Sequence, residues 1–233
     1  MRLRNLRSTN KRHSLYQKDE WLTLQLDRPV FRFSDSGLSE NQLPEKSFCY
    51  AKISTQNSES RKNLEKAGFV VQETSLIYEK KGVRSAPPAW PVRSAKPEDE
   101  AGVCALAAAA FHLSRFHVDP FVGPDLGAKI KSDWAKNFFY GFRGSRLLVV
   151  EEKKKPSGFI LLIERDERTV IDLVCVNPEK QGKGLGKALL QAAETPGKWI
   201  QAGTQEINHT SRRMYEGLGY SVRETCWVLH RHK

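Results

Sequence analysis

Cysteine is scarce and scattered in this chain: Cys49, Cys104, Cys175 and Cys226 stand far apart and form no CxxC pair. That argues against a disulfide framework or a zinc site, and no metal is expected. Cys104 and Cys175 sit in apolar surroundings, where a buried free thiol is the expected state. Long apolar runs are missing too; none approaches the ~20 residues that span a bilayer. The opening "MRLRNLRSTNKRHSLYQKDE" is basic but lacks the apolar core of a secretory signal. The chain reads as cytosolic, with no membrane partner. Acidic residues are under-represented, 27 against 38 Lys and Arg, for a net charge of +11. Yet the basic residues run through both halves, with neither an aromatic-interleaved RNA-binding signature nor zinc-finger spacing. Nucleic acid is therefore not the expected partner, and polyphosphate ligands suit the charge better. The basic tail Arg2–Lys18 reads as a solvated segment, with RNA or an anionic surface as the alternative.

What the chain does have is pattern. A stretch rich in Pro, Ser and charge, "KKGVRSAPPAWPVRSAKPED", marks a linker. It divides the chain into an N-terminal region at 1–84, a linker at 85–91 and a second domain at 92–233. Beyond it, Glu98–Phe111 and Asp125–Phe139 read as helices, and Arg146–Glu151, Gly158–Ile163 and Val170–Val176 as strands. The short connections between these strands predict an antiparallel meander. A helix over Lys187–Glu194, a short strand over Trp199–Ala202, a helix from Asn208 and a strand near Ser221–Leu229 complete the α/β pattern.

Residues 57–80, "NSESRKNLEKAGFVVQETSLIYEK", align without a gap on 208–231, "NHTSRRMYEGLGYSVRETCWVLHR". Eight positions coincide, among them Asn57/Asn208, Arg61/Arg212, Gly68/Gly219 and Glu73/Glu224, against roughly one or two expected by chance. Ordinary helix, glycine cap and strand units offer a simpler explanation. The unbroken register favours a degenerate repeat.

The motif that carries chemistry is "VNPEKQGKGLGKALL". A Walker A loop is excluded: Gly182 and Gly186 lie one residue too close, and Ala188 stands where magnesium needs a hydroxyl. The dinucleotide fingerprint fails as well, because Gly182, Gly184 and Gly186 give GxGxG after a meander instead of GxGxxG in a βαβ unit. What remains is a turn whose backbone N–H groups lead into a helix N-terminus, a natural seat for a pyrophosphate, with Lys183 and Lys187 at its rim.

Together with "NHTSRRMYEGLGY", this motif resembles the GNAT acetyltransferase superfamily, over roughly residues 92–231. The resemblance implies a mixed, mostly antiparallel sheet flanked by helices, preceded by a truncated, degenerate GNAT-like half. It implies acetyl-CoA as co-substrate, with the backbone of Val174, Cys175 and Val176 along the pantetheine arm. Gln181, Gly182, Lys183, Gly184, Leu185, Gly186 and Lys187 would wrap the pyrophosphate. Asn208 would meet the pantetheine side and Tyr215 the sulfur. Helical spacing also puts Asn208, Ser211 and Tyr215 on one face. Tyr215 is thus the candidate general acid, against the alternative of a core tyrosine; the N-terminal copy carries Leu64 at that position. For the base, Asp172, read by alternation as sharing the face of Val174 and Val176, stands beside Glu164; both read more simply as solvent-facing strand residues, a water chain could serve instead, and the choice stays open.

"FHLSRFHVDPFVGPD" is expected on the acceptor side, with Arg115, His117 and Asp119 as substrate candidates or as loop anchors. This stretch, with "GTQ" at Gly203–Gln205, is similar to the TDP-fucosamine acetyltransferase group, which implies a nucleotide-linked amino-sugar as acceptor. A protein or small-amine acetyltransferase and a non-catalytic acyl-CoA-binding domain stay open, as does association into a homodimer.

Overall fold

The computed structural model describes residues 16–33, 44–83, 87–152 and 154–233. The basic tail lies outside them except for Tyr16–Lys18. The chain forms two compact units, residues 1–70 with 229–233, and residues 71–228. The stretch read as a linker falls inside the larger unit.

The smaller unit contains β1 (Tyr16–Lys18), α1 (Glu20–Leu26), β2 (Val30–Phe33), β3 (Phe48–Ser54) and α2 (Ser58–Lys66). β1 pairs antiparallel with β2, and β2 parallel with β3, around buried Phe33, Phe48, Leu64 and Phe69. The strand β4 (Val70–Lys81) begins at the boundary and leads into the larger unit.

There follow β5 (Val92–Ser94), α3 (Glu100–Ala110), α4 (Arg115–Val118), α5 (Gly123–Lys136), β6 (Arg146–Glu152), β7 (Lys155–Glu164) and β8 (Arg168–Val176). The chain closes with α6 (Leu185–Ala193), β9 (Trp199–Gln205), α7 (His209–Gly217) and β10 (Ser221–His232). The larger unit's strand order is β10–β4–β9–β8–β7–β6–β5. As expected, β6, β7 and β8 form an antiparallel meander. Both faces of the sheet are apolar, which is why these strands read as near-continuous hydrophobic runs. On one face α6 and α7 cover Leu148, Ile160, Leu162 and Ile171. On the other, α3 and α5 cover Leu147, Phe159, Leu161 and Leu173. Cys49, Cys104, Cys175 and Cys226 are free thiols, and no helix among the described residues is long and apolar enough to cross a membrane.

The aligned segments fold alike. Every bound of β3, α2 and β4 recurs 151 residues later in β9, α7 and β10. Asn57 and Asn208 both cap their helices, each side chain accepting the N–H three residues on at 3.1 Å. Gly68 and Gly219 end those helices at φ 85° and 81°, a left-handed turn that glycine adopts without strain. β4, which follows α2, pairs antiparallel with β9 from Ser75↔Gln205 to Lys81↔Trp199. The last residues of β10, which follows α7, belong to the smaller unit, where Lys233 N–H donates to the Ser47 carbonyl at 3.2 Å.

Strand β5 is tied to the start of α3 by charge. Arg93 donates to both Asp99 oxygens, at 2.7 and 3.0 Å, and to Glu151 at 2.7 Å. Asp99 is 4% exposed, and the Arg93 guanidinium holds its carboxyl below the usual range. A depressed carboxyl adds stability above its unfolded value of about 3.9 and loses it as the pH falls through the lower folded value. Arg93→Met strands the buried carboxylate and should cost about 3 kcal/mol in urea unfolding at pH 7. The gap to wild type should shrink in acid.

Candidate functional site

A cavity of about 500 Å³ opens in the larger unit where two strands part. β8 and β9 pair in parallel from Arg168↔Trp199 to Ile171↔Ala202, and there the ladder ends. Beyond it, Asp172–Val176 on β8 and Gly203–Gln205 on β9 line the cavity. The backbone edge of β8 is thus turned toward a space into which an extended amide-bearing ligand can add as a strand.

The cause of the parting lies in β8 itself. Leu161 pairs with Leu173 but Leu162 with Ile171, so Asp172 is an extra, unpaired residue, a bulge. The bulge corrects the alternation argument. Ile171 packs with the α6–α7 core and Leu173 with the α3–α5 core, so parity is lost between them. Asp172 does not follow the face of Val174 and Val176: its carboxylate takes bonds from Trp134 Nε1 of α5 at 2.9 Å, and from Arg143 Nε and Nη2 at 2.6 Å each. The Arg143 guanidinium also stacks over the Trp134 ring at 4.4 Å. Glu164, the other base candidate, is paired with Arg146 at 3.3 Å.

The glycine turn forms the cavity's other wall. Gly182 and Gly184 adopt φ of 77° and 85°, so side chains there would be strained. Gly184 serves as the N-cap of α6 without a capping side chain, leaving the helix's first N–H groups for a ligand. A Cβ on Gly186 would stand 2.8 Å from Met214 Sδ, so this glycine lets α6 approach α7. Gln181, Gly182, Gly184, Leu185, Gly186 and Lys187 all line the cavity. Lys183 does not; instead its carbonyl accepts a bond from Trp90 Nε1 at 2.9 Å. Nothing in the sequence ties Trp90, sited in the linker-like stretch, to the turn.

Helix α7 contributes Asn208, Ser211 and Tyr215, as the helical spacing predicts. The Asn208 side-chain oxygen caps the helix on the Ser211 N–H, so this residue positions the helix as well as lining the space. Tyr215 lies between Tyr78 and Tyr220, with ring centroids 5.4 Å from each. Burial, with Tyr78 nearby, pushes its phenol well above the ordinary range, so it stays protonated at neutral pH. Cys175 turns its sulfur into the α3–α5 core, and burial likewise keeps that thiol protonated.

The acceptor-side candidates fall elsewhere. Arg115, His117 and Asp119 are not among the cavity-lining residues; Ala110–Ser114 and Lys131 are. The Arg115 guanidinium lies over the Phe116 ring at 4.3 Å. His117 Nδ1 shares a hydrogen bond with Ser114 Oγ at 2.8 Å, and its ring fills the space that a side chain at Gly127 would need. Burial holds the imidazole below its usual value, hence neutral. Asp119 is fully buried, accepts the Phe121 N–H at 2.9 Å and turns the chain into α5. The contacts of His117 and Asp119 suit the loop-anchor alternative.

Residues 112–220 match the acetyltransferase (GNAT) family. The chain contains a GNAT acetyltransferase domain. A relative by sequence is the spore coat polysaccharide biosynthesis protein SpsD of Bacillus subtilis, 28% identical over 149 residues. That alignment takes in 62% of this chain and 51%, about half, of the relative's length. A GCN5-related N-acetyltransferase from Kribbella flavida is a structural neighbour at TM-score 0.55 and 14% identity, covering 87% of this chain and 81% of that one. A tandem GNAT protein from the clavulanic acid biosynthesis pathway is another, at TM-score 0.53 and 14% identity, covering 79% and 64%. At such identities the neighbours establish the GNAT fold.

Trp90→Phe removes the bond that holds the turn. A lost hydrogen bond of about 1 kcal/mol should speed amide exchange over Gly182–Leu185 roughly fivefold. Global unfolding should move far less, and hydrogen–deuterium exchange reads both.

Proposed function

We propose that the chain transfers an acetyl group from acetyl-CoA to a primary amine of a small anionic molecule, a nucleotide-linked amino-sugar. The observation that carries this is the continuity of one cavity, from the glycine turn and the free N-terminus of α6, along the open edge of β8, to the buried phenol of Tyr215. The turn suits the co-substrate: a side chain built on Gly182 would meet nothing within 4 Å, so the space beside it stays open for a pyrophosphate.

Acetyl-CoA supplies the thioester. The chain's own part is threefold. The β8 edge orients the pantetheine arm by backbone bonds, as an added strand would. Backbone N–H groups near Val174 favour the charge that grows on the carbonyl oxygen. Tyr215, held protonated by burial, gives its proton to the departing sulfur. Support for an amino-sugar acceptor is the net charge of +11, the basic and aromatic lining at Phe111, His112 and Lys131, and the polysaccharide-biosynthesis name of the Bacillus relative. We also infer that residues 1–84 derive from a truncated GNAT half, on the strength of the element bounds that recur 151 residues apart.

Thiol release from acetyl-CoA across TDP-amino-sugars, free amino-sugars, polyamines and lysine peptides tests the acceptor. Turnover confined to the nucleotide sugars is the expected outcome; preference for peptides would defeat it. Tyr215→Phe should lower kcat by about 10²-fold or more with acetyl-CoA affinity unchanged, and equal losses in both would remove Tyr215 as the acid. Gly184→Asp sets a negative charge beside the pyrophosphate, worth about 4 kcal/mol per close charge pair at moderate screening. Calorimetry should then show acetyl-CoA binding weakened on the order of a thousandfold.

A further inference from the structure

Lys131 stands out among the charged groups around the cavity. It projects from α5 into the cavity lining, and its Nζ lies 4.9 Å from the ring centroids of both Phe111 and Trp134. Among the described residues Nζ makes no hydrogen bond and no ion pair, so the two rings are its contacts and its donors are left for a ligand. The other lining groups are accounted for. Asp172 holds three donor atoms, Lys180 is paired with Glu152 at 2.8 Å, and Lys187 belongs to the glycine turn. His112 is solvent-exposed, and Glu73, which accepts a bond from Gln205 at 3.3 Å, is not in the lining.

We propose that Lys131 is the proton acceptor for the incoming amine, the base that acetyl transfer needs. This rests on the acetyltransferase reading above. The acceptor arrives as an ammonium ion and must lose two protons. Neutral Lys131 takes the first and passes it to solvent, leaving an amine lone pair that attacks the thioester carbonyl carbon. As the C–N bond forms and the C–S bond breaks, the second proton leaves the nitrogen and restores the one Tyr215 gave to sulfur. The products are an amide and a free thiol, with one proton released to solvent.

The surroundings set the balance between the two forms of Lys131. Burial pushes its ammonium down to about 8. Glu73 on β4 and Asp172 on β8 favour the charge, while Arg115 on α4 and Arg143, beyond the end of α5, oppose it. His117, neutral, lies near enough to feel the lysine's charge, and His112 stands beside His117. The two aromatic faces pull toward the ammonium, which keeps both forms populated near neutrality. A base in that range combines availability with driving force.

The test uses Lys131→Arg, a permanent cation, and Lys131→Met, which keeps the apolar stem. With saturating acetyl-CoA and amine, wild-type kcat should fall toward acid pH as the lysine protonates, with a midpoint set by the ligand-filled site. Both variants should lose about 10²-fold or more at pH 7.5 and lose that acid limb. Calorimetric affinity for acetyl-CoA should stay within about twofold, since the lysine's proposed contact is with the amine alone. Competitive reductive methylation of the unliganded protein should show Lys131 reacting with a midpoint near 8, below the surface lysines. Wild-type turnover and pH limb in Lys131→Arg would make the residue an anion anchor and overturn the proposal, as would a labelling midpoint near that of exposed lysines. Silence of the wild type with every amine would instead overturn the acetyltransferase reading itself.

Discussion

One extra residue in a strand sits where the cavity between β8 and β9 opens. Asp172 has no partner in the β7–β8 register, and the β8–β9 ladder ends one residue before it, at Ile171↔Ala202. A bulged strand bends and twists more strongly, and here the bend separates β8 from β9 and frees a backbone edge. The bulge is held from outside the sheet. Arg143 and Trp134 supply three bonds to a carboxylate whose side chain is 8% exposed. Removing either partner leaves a buried charge less than satisfied, so the network fixes the opening as well as adding stability.

With the opening fixed, the two ends of the cavity are set by different physics. At the glycine turn the determinants are backbone ones: positive φ at Gly182 and Gly184, an uncapped helix start, and close contact between α6 and α7 at Gly186. At Phe111, Trp134 and Lys131 the determinants are side chains from helices on the sheet's other face. The first end suits a ligand recognised by charge and backbone bonds, whatever its organic remainder. The second end presents side chains, so substitutions there change the lining without altering the backbone of the first.

That division explains what could be read from sequence. Strand and helix positions, the meander, the glycine turn and the shared face of Asn208, Ser211 and Tyr215 were all legible, because each rests on local periodicity or a short motif. Glycine that must take a left-handed turn leaves a mark in the sequence. The bulge at Asp172 leaves none, since an inserted residue keeps the apolar pattern on both faces while reversing its parity, and alternation then misplaced the carboxylate. Trp90 and Lys131 were missed for a related reason. Their roles come from partners 93 residues away in one case, and from Phe111 and Trp134 in the other. A lysine under two aromatic rings has the same letter as a solvated one. Arg115, His117 and Asp119, read as substrate candidates or as loop anchors, lie outside the cavity lining.

The recurring segment offers a control within the chain itself. α2 and α7 share their bounds, their asparagine caps and their glycine exits, so those residues are explained by helix geometry alone and need no catalytic role. What differs is then informative. Leu64 is buried in α2 where Tyr215 is buried in α7. A buried phenol carries the added cost of desolvating a hydroxyl, commonly 1–3 kcal/mol when no partner compensates. In α7 the hydroxyl is carried by the one buried helix position that also lines the cavity. Shared features of the pair therefore belong to the fold, and the tyrosine is among the features that distinguish the second copy from the first.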